Sequence, residues 1–260
     1  MKTSHKQRSN QRLALAFLAT LLASCATSME PGTDISTAWD KRITFSPEKS
    51  TPIRGAETVT LTKQYPVVIF MHGCTGIENH AELQWGQYLK DLGFVVVIPD
   101  SLARRDRHPS CDGATASYFG THTTHRLRQQ EIDYAHEKVM NAPWAQKQNI
   151  FLMGHSEGGI AAARTKRADF QGIIISGWTC HSKYQGYAGV YSPEVVPVLS
   201  LLWKQDRWFP PGRHDHGTCE SSLAGRQGSK HITLDGFDHN TFTSPLAREE
   251  VKNFLMRNLK

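Results

Sequence analysis

The sequence lacks the features of membrane-embedded, fibrous and disordered proteins. Its longest apolar run, Leu13 to Ala23, has 11 residues. As a helix it would extend about 16 Å, too short for a hydrocarbon core of about 30 Å. The chain has no internal repeat and no low-complexity segment. With 39% apolar and 21% charged residues among 260, the composition excludes extended disorder and predicts one large folded domain.

Metal-binding and nucleic-acid-binding motifs are also missing. The chain contains no C-x-x-C and no H-x-x-x-H pair, the spacings typical of zinc sites. It also contains no DNA- or RNA-recognition motif. The sequence therefore predicts neither a metal nor another cofactor, and no nucleic-acid partner.

Residues 1–24 are interpreted as a signal peptide. Residues 1–12 carry four basic and no acidic side chains, the apolar run follows, and small residues end it. This order is typical of secretion signals, and a buried helix is a poorer interpretation because the run is apolar on every face. Leu22-Ala23-Ser24-Cys25 resembles the lipobox of bacterial lipoproteins, which implies a lipid on Cys25 and anchoring in the bacterial cell envelope. Residues 25–40 are interpreted as a polar tether.

Loss of the signal peptide changes the meaning of the net charge. The chain has 30 basic and 24 acidic residues, for a charge of +6, and four of the basic residues lie before residue 13. Cleavage leaves 26 basic residues against 24 acidic ones. A nearly neutral mature chain gives no general reason to expect an anionic partner.

Beyond the tether, apolar runs alternate with helical patterns. Strands are predicted at 43–45, 58–61, 66–71, 94–98, 150–153, 173–175, 197–203 and 231–234, and helices at 80–92, 126–141, 157–167 and 245–258. Continuously apolar runs such as Pro66 to Met71 are typical of strands buried on both faces. The pattern predicts one α/β domain at 41–260, with a mostly parallel central sheet and helices on both faces.

Ser156 is the predicted nucleophile. Gly154-His155-Ser156-Glu157-Gly158 matches G-x-S-x-G between an apolar strand and a helix. A tight strand-to-helix turn would expose the hydroxyl and aim the Glu157 amide at a developing oxyanion. The alternative is a serine that only caps the helix.

The expected base and acid follow in chain order. Asp206 comes just after the strand at 197–203, and His239 lies between the last strand and the final helix. Both positions suit a Ser-His-Asp triad. The rival histidines and acids downstream of the serine are less well placed: His181, His214, His216, His231, Asp215, Asp235 and Asp238.

A second oxyanion donor is expected after the strand at 66–71. That strand runs into His72-Gly73-Cys74-Thr75-Gly76, and the Cys74 amide is the predicted donor, with Thr75 next. An ordinary two-glycine turn is the alternative interpretation.

Taken together, HGCTG, GHSEGG, Asp206 and His239 resemble the α/β-hydrolase superfamily over roughly residues 60–258. Within it, the short chain and Pro99-Asp100-Ser101 resemble the dienelactone hydrolase family. The resemblance implies an enzyme that cleaves small-molecule esters through an acyl-enzyme. Dienelactone hydrolase itself has a cysteine nucleophile, so Ser156 favours general carboxylic esters over lactones. A serine peptidase, an acyltransferase and a non-catalytic lipoprotein of this fold remain alternatives, and the oligomeric state is open.

The four remaining cysteines are predicted to form disulfides, which persist in exported proteins. Spacing alone leaves three pairings open. In the implied fold, Cys74 and Cys111 follow neighbouring strands, as do Cys180 and Cys219. The predicted pairs are therefore Cys74–Cys111 and Cys180–Cys219.

Two basic loops, at 104–108 and 207–216, follow strands of the predicted sheet. If they rimmed the cleft, they would favour an ester with an anionic group. The alternative is that their arginines pair with Asp106 and Asp215. Trp178 and Trp208 are candidates for an apolar pocket wall.

Overall fold

The computed structural model describes residues 34–77, 80–184 and 186–260. The predicted signal peptide and Cys25 lie outside the described residues. The compact unit begins at Asp34, within the segment interpreted as a tether, because residues 35–40 form a helix (α1, Ile35–Asp40) whose Ile35 and Ala38 are buried. The Asp100 amide donates to the Ala38 carbonyl at 2.9 Å, which ties this helix to the domain.

One eight-stranded sheet forms the centre of the domain. Its strands are β1 (Ile43–Phe45), β2 (Ile53–Arg54), β3 (Tyr65–Met71), β4 (Val95–Ile98), β7 (Ala145–His155), β8 (Ile173–Ser176), β9 (Val198–Trp203) and β10 (Lys230–Leu234). Their order is β10-β9-β8-β7-β3-β4-β1-β2. All neighbours from β10 to β4 are parallel, and β1 runs antiparallel to both β4 and β2. The predicted mostly parallel sheet is confirmed.

The other elements are helices and one small hairpin. The helices are α2 (His80–Asp91), α3 (His122–Met140), α4 (Glu157–Arg164), α5 (Glu220–Leu223) and α6 (Pro245–Asn258), with 3-10 turns at Ser101–Ala103 and Thr241–Thr243. Strands β5 (Cys111–Asp112) and β6 (Ser117–Tyr118) pair with each other outside the main sheet. The sequence analysis missed this hairpin, because two-residue strands leave no periodic pattern.

The predicted strand at 58–61 is wrong. The neighbour of β1 is β2, and residues 58–61 have no regular structure. Val59 is buried in the core and Leu61 packs against it. Val59 and Leu61 therefore alternate with polar residues because they face the core, although the segment does not pair with a strand.

The core occupies both faces of the sheet. Val67, Ile69 and Met71 of β3 pack on one face with residues of α3 and α4. Val68 and Phe70 pack on the other face with residues of α2 and α6. This two-sided burial explains the continuously apolar strand sequences. It also leaves the loops at the carboxyl ends of the parallel strands as the places for functional side chains.

Candidate active site

Ser156 occupies a strained turn between β7 and α4. Its backbone has φ 56° and ψ −119°, a region that non-glycine residues adopt at a cost of about 1–3 kcal/mol. The Ser156 amide donates to the Ser176 carbonyl at 2.8 Å, and the Ile160 amide donates to the Ser156 carbonyl at 3.1 Å. Within the described helix, the Ser156 hydroxyl makes no capping hydrogen bond. Ser156 is thus a half-buried residue on a sharp turn, and the alternative of a capping serine is not observed.

Glycines on either side make this turn possible. A Cβ atom on Gly154 would lie 1.9 Å from the Gly158 carbonyl oxygen, and one on Gly158 would lie 1.9 Å from the Met71 carbonyl oxygen. Neither distance is compatible with a side chain. The backbones of β3, β7 and α4 therefore approach each other more closely than any other residue type permits.

Asp206 and His239 form a close pair. Asp206 follows β9 and is 3% exposed, and His239 follows β10. The distance from Asp206 Oδ2 to His239 Nδ1 is 2.6 Å. The other carboxylate oxygen, Oδ1, accepts the Trp208 amide at 2.9 Å. These two bonds hold the carboxylate in place and fix the orientation of the imidazole.

The His239 ring and the Ser156 side chain lie in the same small region. The ring centroids of His155 and His239 are 4.8 Å apart. A Cβ atom on Gly177 would lie 3.3 Å from His239 Cε1, and one on Gly73 would lie 3.4 Å from Ser156 Cβ. His239 Nε2 is buried and has no hydrogen-bond partner among the described residues. That nitrogen has its lone pair or proton available to a reacting group.

His155, the residue before the serine, is a neutral structural histidine. Burial, together with the nearby His239, lowers the pKa of His155 well below its usual value. Its Nδ1 lies 3.0 Å from the Ser176 hydroxyl, which is itself 2.7 Å from the Thr241 hydroxyl. His155 thus packs against the His239 ring as a neutral imidazole.

The loop after β3 is held by two buried groups. His72 Nδ1 donates to the Gly73 carbonyl at 2.6 Å, and His72 Nε2 accepts the Ser101 amide at 2.9 Å. Burial keeps the pKa of His72 well below its usual value. Glu82 Oε1 accepts the Gly73 amide at 2.9 Å. Burial raises the pKa of Glu82 to about 7, although the Gly73 hydrogen bond and His239 oppose that rise.

The sequence analysis missed Glu82. It lies in the first turn of α2, where an acid is ordinarily a solvated residue that favours the helix dipole. No periodic signal marks it as buried, yet it is 1% exposed. Only the closeness of α2 to the loop after β3 could have indicated its position.

Glu157 belongs to a buried ionic network behind the turn. Arg107 Nη2 lies 2.5 Å from Glu157 Oε1, and Ser110 donates to the other oxygen of that carboxylate. Arg128 lies 3.7 Å from Glu157 and 3.2 Å from Glu131. All four charged side chains have no exposed surface. The side chain of the residue after Ser156 is therefore anchored at several points.

Most arginines of the two basic loops are paired within the protein. Arg104 lies 2.8 Å from Asp106 and 3.2 Å from Glu131, and Arg107 pairs with Glu157. Arg213 lies 2.6 Å from Asp215. The alternative pairing with Asp106 and Asp215 is thus observed for Arg104 and Arg213, whereas Arg105 is exposed and Arg207 donates to the Gly113 carbonyl at 2.7 Å.

The rival histidines and acids have other partners. His231 lies 3.1 Å from the Ser200 hydroxyl, and His216 lies 2.7 Å from the Phe209 carbonyl. Asp238 accepts the His239 amide at 2.7 Å. His231, His216 and Asp238 are thus engaged in hydrogen bonds other than the one between Asp206 and His239.

Two disulfides join the strand-end loops. The structure pairs Cys74 with Cys111 and Cys180 with Cys219, the pairing that the implied topology predicts. The first connects the loop after β3 to the hairpin β5–β6, and the second connects the loops after β8 and β9. Disulfides of this kind are typical of proteins that fold outside the cytoplasm.

A cavity of about 450 Å³ opens beside Ser156. Its wall includes Glu157, Ile160, Trp178 and Trp208, so both candidate tryptophans line it. Another cavity, of about 560 Å³, lies near Trp39 and Trp144 and has none of the predicted site residues in its wall. In the described ranges, no group of three or more His, Cys, Asp and Glu side chains is arranged to hold a metal ion. In the same ranges, no helix has the length and apolarity needed to cross a bilayer.

Comparison with known proteins agrees with this architecture. Similar solved structures include Est1E from Butyrivibrio proteoclasticus (17% identity, 84% of this chain and 93% of that chain, TM-score 0.52). A putative dienelactone hydrolase from Klebsiella pneumoniae subsp. pneumoniae MGH 78578 is 14% identical (76% and 88% covered, TM-score 0.56). An acetyl xylan esterase from Paenibacillus sp. R4 is 15% identical (78% of each chain, TM-score 0.54). A search of the curated proteins found no match.

The family comparison covers the elements that carry the serine turn. The model of the Dienelactone hydrolase family matches residues 55–174, a range that includes β3, the loop after it and the Ser156 turn. This confirms the resemblance drawn from the HGCTG and GHSEGG motifs. The chain therefore has the α/β-hydrolase fold, and its residues 55–174 match the dienelactone hydrolase family model.

Proposed function

We propose that the protein is a serine hydrolase that cleaves carboxylic esters with Ser156 as nucleophile, His239 as base and Asp206 as the orienting acid. The observation that carries this proposal is the meeting of three chain segments. A strained serine turn and a 2.6 Å Asp–His pair come from three different strand ends. The cavity wall includes Ser156 and Trp208, and Asp206 binds the Trp208 amide. A glycine-rich turn with only a structural role would not need the Asp206–His239 pair.

The reaction runs in two steps. His239 Nε2 accepts the Ser156 proton as Oγ bonds to the ester carbonyl carbon, and the carbonyl electron pair moves to oxygen. When the carbonyl reforms, the carbon–alkoxy bond breaks and the alcohol leaves with the proton from His239. In the second step, His239 accepts a proton from water as the water oxygen bonds to the acyl carbon. The bond from that carbon to Oγ then breaks, Ser156 regains a proton from His239, and the carboxylic acid leaves. Asp206 stabilises the imidazolium that forms in each step.

Two backbone amides are available for the oxyanion. Glu157 is the first residue of α4, so its N–H lies at the positive end of a helix. In the loop after β3, the Gly73 amide already donates to Glu82, which makes the next amide, that of Cys74, the first candidate. The Cys74–Cys111 disulfide and the ion pairs of Glu157 hold both donors in place, as preorganised stabilisation requires.

The comparisons support ester chemistry. The matched family is named for a hydrolase that opens an ester bond within a ring, and one of the three similar structures, from Paenibacillus, is an acetyl xylan esterase. Ser156 in place of a cysteine favours general carboxylic esters as substrates.

The test is a comparison of two serine variants with short p-nitrophenyl esters. Ser156→Ala is expected to lower kcat by at least about 1,000-fold with an unchanged circular dichroism spectrum. Ser221→Ala, at an exposed serine in α5, is the matched control and is expected to retain full activity. Retained turnover in Ser156→Ala would contradict the proposal. Parallel assays with peptide amides and with alcohol acceptors separate an esterase from a peptidase and an acyltransferase.

We also propose that the enzyme is exported and held on a membrane by a lipid on Cys25. The two disulfides support the export, and the lipobox-like sequence supports the anchor. Cys25→Ser is expected to move the protein from the membrane fraction to the soluble fraction of a bacterial host. Unchanged fractionation would contradict the anchor while leaving the catalytic proposal intact.

A further inference from the structure

More than half of the residues that line the cavity beside Ser156 carry rings. Among the described residues of its wall, seven side chains are Phe, Tyr or Trp and four are His, whereas Ile160 is the one aliphatic side chain with a branched chain. A site for a fatty acyl chain would present Leu, Ile, Val and Met. The composition of this wall therefore favours a flat aromatic group over an aliphatic chain.

One wall is built around Tyr187 and is held rigidly. The Tyr187 hydroxyl hydrogen-bonds to His122 Nδ1, and the His125 ring centroid lies 4.5 Å from that of Tyr187. The Arg164 guanidinium covers the ring of Tyr187 at 4.2 Å. The Cys180–Cys219 disulfide ties down the start of the segment that carries Tyr187.

A second aromatic group stands next to the base. The Trp208 ring lies 5.4 Å from the His239 ring, at an interplanar angle of 33°, and the Trp208 amide is bound by Asp206. Trp208 is thus positioned by the same carboxylate that positions His239. A group bound against Trp208 lies beside the bond to be cleaved.

The rings at the mouth of the cavity are exposed without an evident structural need. Phe119 is 54% exposed and Tyr184 is 52% exposed, and both belong to the wall. Flat rings that remain in water next to a buried aromatic wall gain contacts only when a further apolar group binds between them. Of the cations in the wall, Arg213 pairs with Asp215, and the exposed Lys183 lies 5.0 Å from the ring of Tyr184, so the ring of Tyr184 also has a cation beside it.

From this lining we propose that the substrate is an ester carrying one aromatic ring, which binds between the Tyr187 side and the Trp208 side of the cavity. This inference rests on the proposed ester hydrolysis. The ring belongs either to the acyl group or to the alcohol, and both are served by the same stacking and edge-to-face contacts.

The test uses esters that differ only in ring aromaticity. Methyl 3-phenylpropanoate and methyl 3-cyclohexylpropanoate probe the acyl side, and 3-phenylpropyl acetate and 3-cyclohexylpropyl acetate probe the alcohol side. In at least one pair, kcat/KM for the phenyl compound is expected to exceed that for the cyclohexyl compound at least about tenfold (about 1.4 kcal/mol). The pair that shows the preference identifies the side of the ester that enters the cavity. Equal values, or a cyclohexyl preference in both pairs, would overturn the inference.

Two exposed tyrosines give a matched pair of variants. Tyr184→Leu is expected to lower the phenyl-to-cyclohexyl ratio at least about threefold, because the leucine cannot make the aromatic contact. Tyr191→Leu removes a similarly exposed ring outside the cavity wall and is expected to leave the ratio unchanged. A high ratio that survives Tyr184→Leu would overturn the assignment of the preference to this cavity.

A binding measurement separates this inference from the proposed function. The Ser156→Ala protein is titrated with the same four intact esters, and binding is followed by tryptophan fluorescence. A preference for the phenyl compounds is expected here too, without any turnover. If the wild-type protein hydrolyses no ester, the proposed function is wrong. The ring preference is tested separately, because equal binding of the phenyl and cyclohexyl esters in this titration would contradict it.

Discussion

The buried carboxyl of Glu82 should contribute a part of the protein's stability that falls as pH rises. Glu82 is 1% exposed, and its Oε1 accepts the Gly73 amide at 2.9 Å. Its Oε2 has no partner among the described residues. Burial raises the pKa of Glu82 from 4.5 to about 7. Between pH 4.5 and pH 7, the folded protein therefore keeps a proton on Glu82 that the unfolded chain has released. The resulting stability is fully present below pH 4.5 and is lost as pH rises through 7.

The substitution Glu82→Gln isolates this effect. Glutamine is neutral at every pH and keeps an oxygen for the Gly73 amide, so it has no charge to bury. The free energy of unfolding of Glu82→Gln, minus that of the wild type, should rise by about 2.5 kcal/mol from pH 5 to pH 8. Urea unfolding at pH 5, 6, 7 and 8 measures this difference.

An exposed acid on the same helix provides the control. Asp91, at the end of α2, is exposed and is solvated in both the folded and the unfolded chain. The effect of Asp91→Asn on unfolding should therefore be the same at each pH. A constant difference between Glu82→Gln and the wild type from pH 5 to pH 8 would refute the reasoning about buried charge.

Three further experiments test the architecture around the site. Gly158→Ala places a Cβ atom 1.9 Å from a backbone carbonyl and should lower the free energy of unfolding by more than about 4 kcal/mol. Gly93 has a φ of +94° and no atom within 4 Å of an added Cβ, so Gly93→Ala should lower it by about 1–2 kcal/mol. Thermal unfolding of the two variants measures both effects. Asp206→Asn should lower ester kcat by about 10,000-fold with little change in KM, and a loss below tenfold would contradict the role of the acid. Cys74→Ser combined with Cys111→Ser opens a link between residues 37 apart and should lower the free energy of urea unfolding by about 4 kcal/mol; an unchanged midpoint would contradict this.

The sequence predicted the parts of the fold that leave a local pattern. The parallel strands are continuously apolar because both faces are covered, and the serine turn has a fixed glycine spacing. Asp206 and His239 could be chosen over their rivals because strand order and strand ends restrict where an acid and a base can stand. The disulfide pairing followed from the same topology.

What was missed depends on contacts between distant segments. Helix α1 is polar enough to resemble a tether, and its docking depends on two buried side chains, Ile35 and Ala38. The strand expected at 58–61 alternates correctly but has no partner strand. The burial of Glu82, and of Arg107 beside Glu157, follows from packing around the turn. Charged residues are ordinarily surface residues, so their sequence gives no sign of it.

The central claim, that Ser156 is the nucleophile, is tested most directly by covalent labelling. The protein is incubated with a fluorophosphonate, digested and mapped by tandem mass spectrometry. A single phosphonylated peptide modified at Ser156, absent from Ser156→Ala, is the expected result. Modification at another residue, or ester hydrolysis that persists while Ser156 remains unmodified, would contradict the claim.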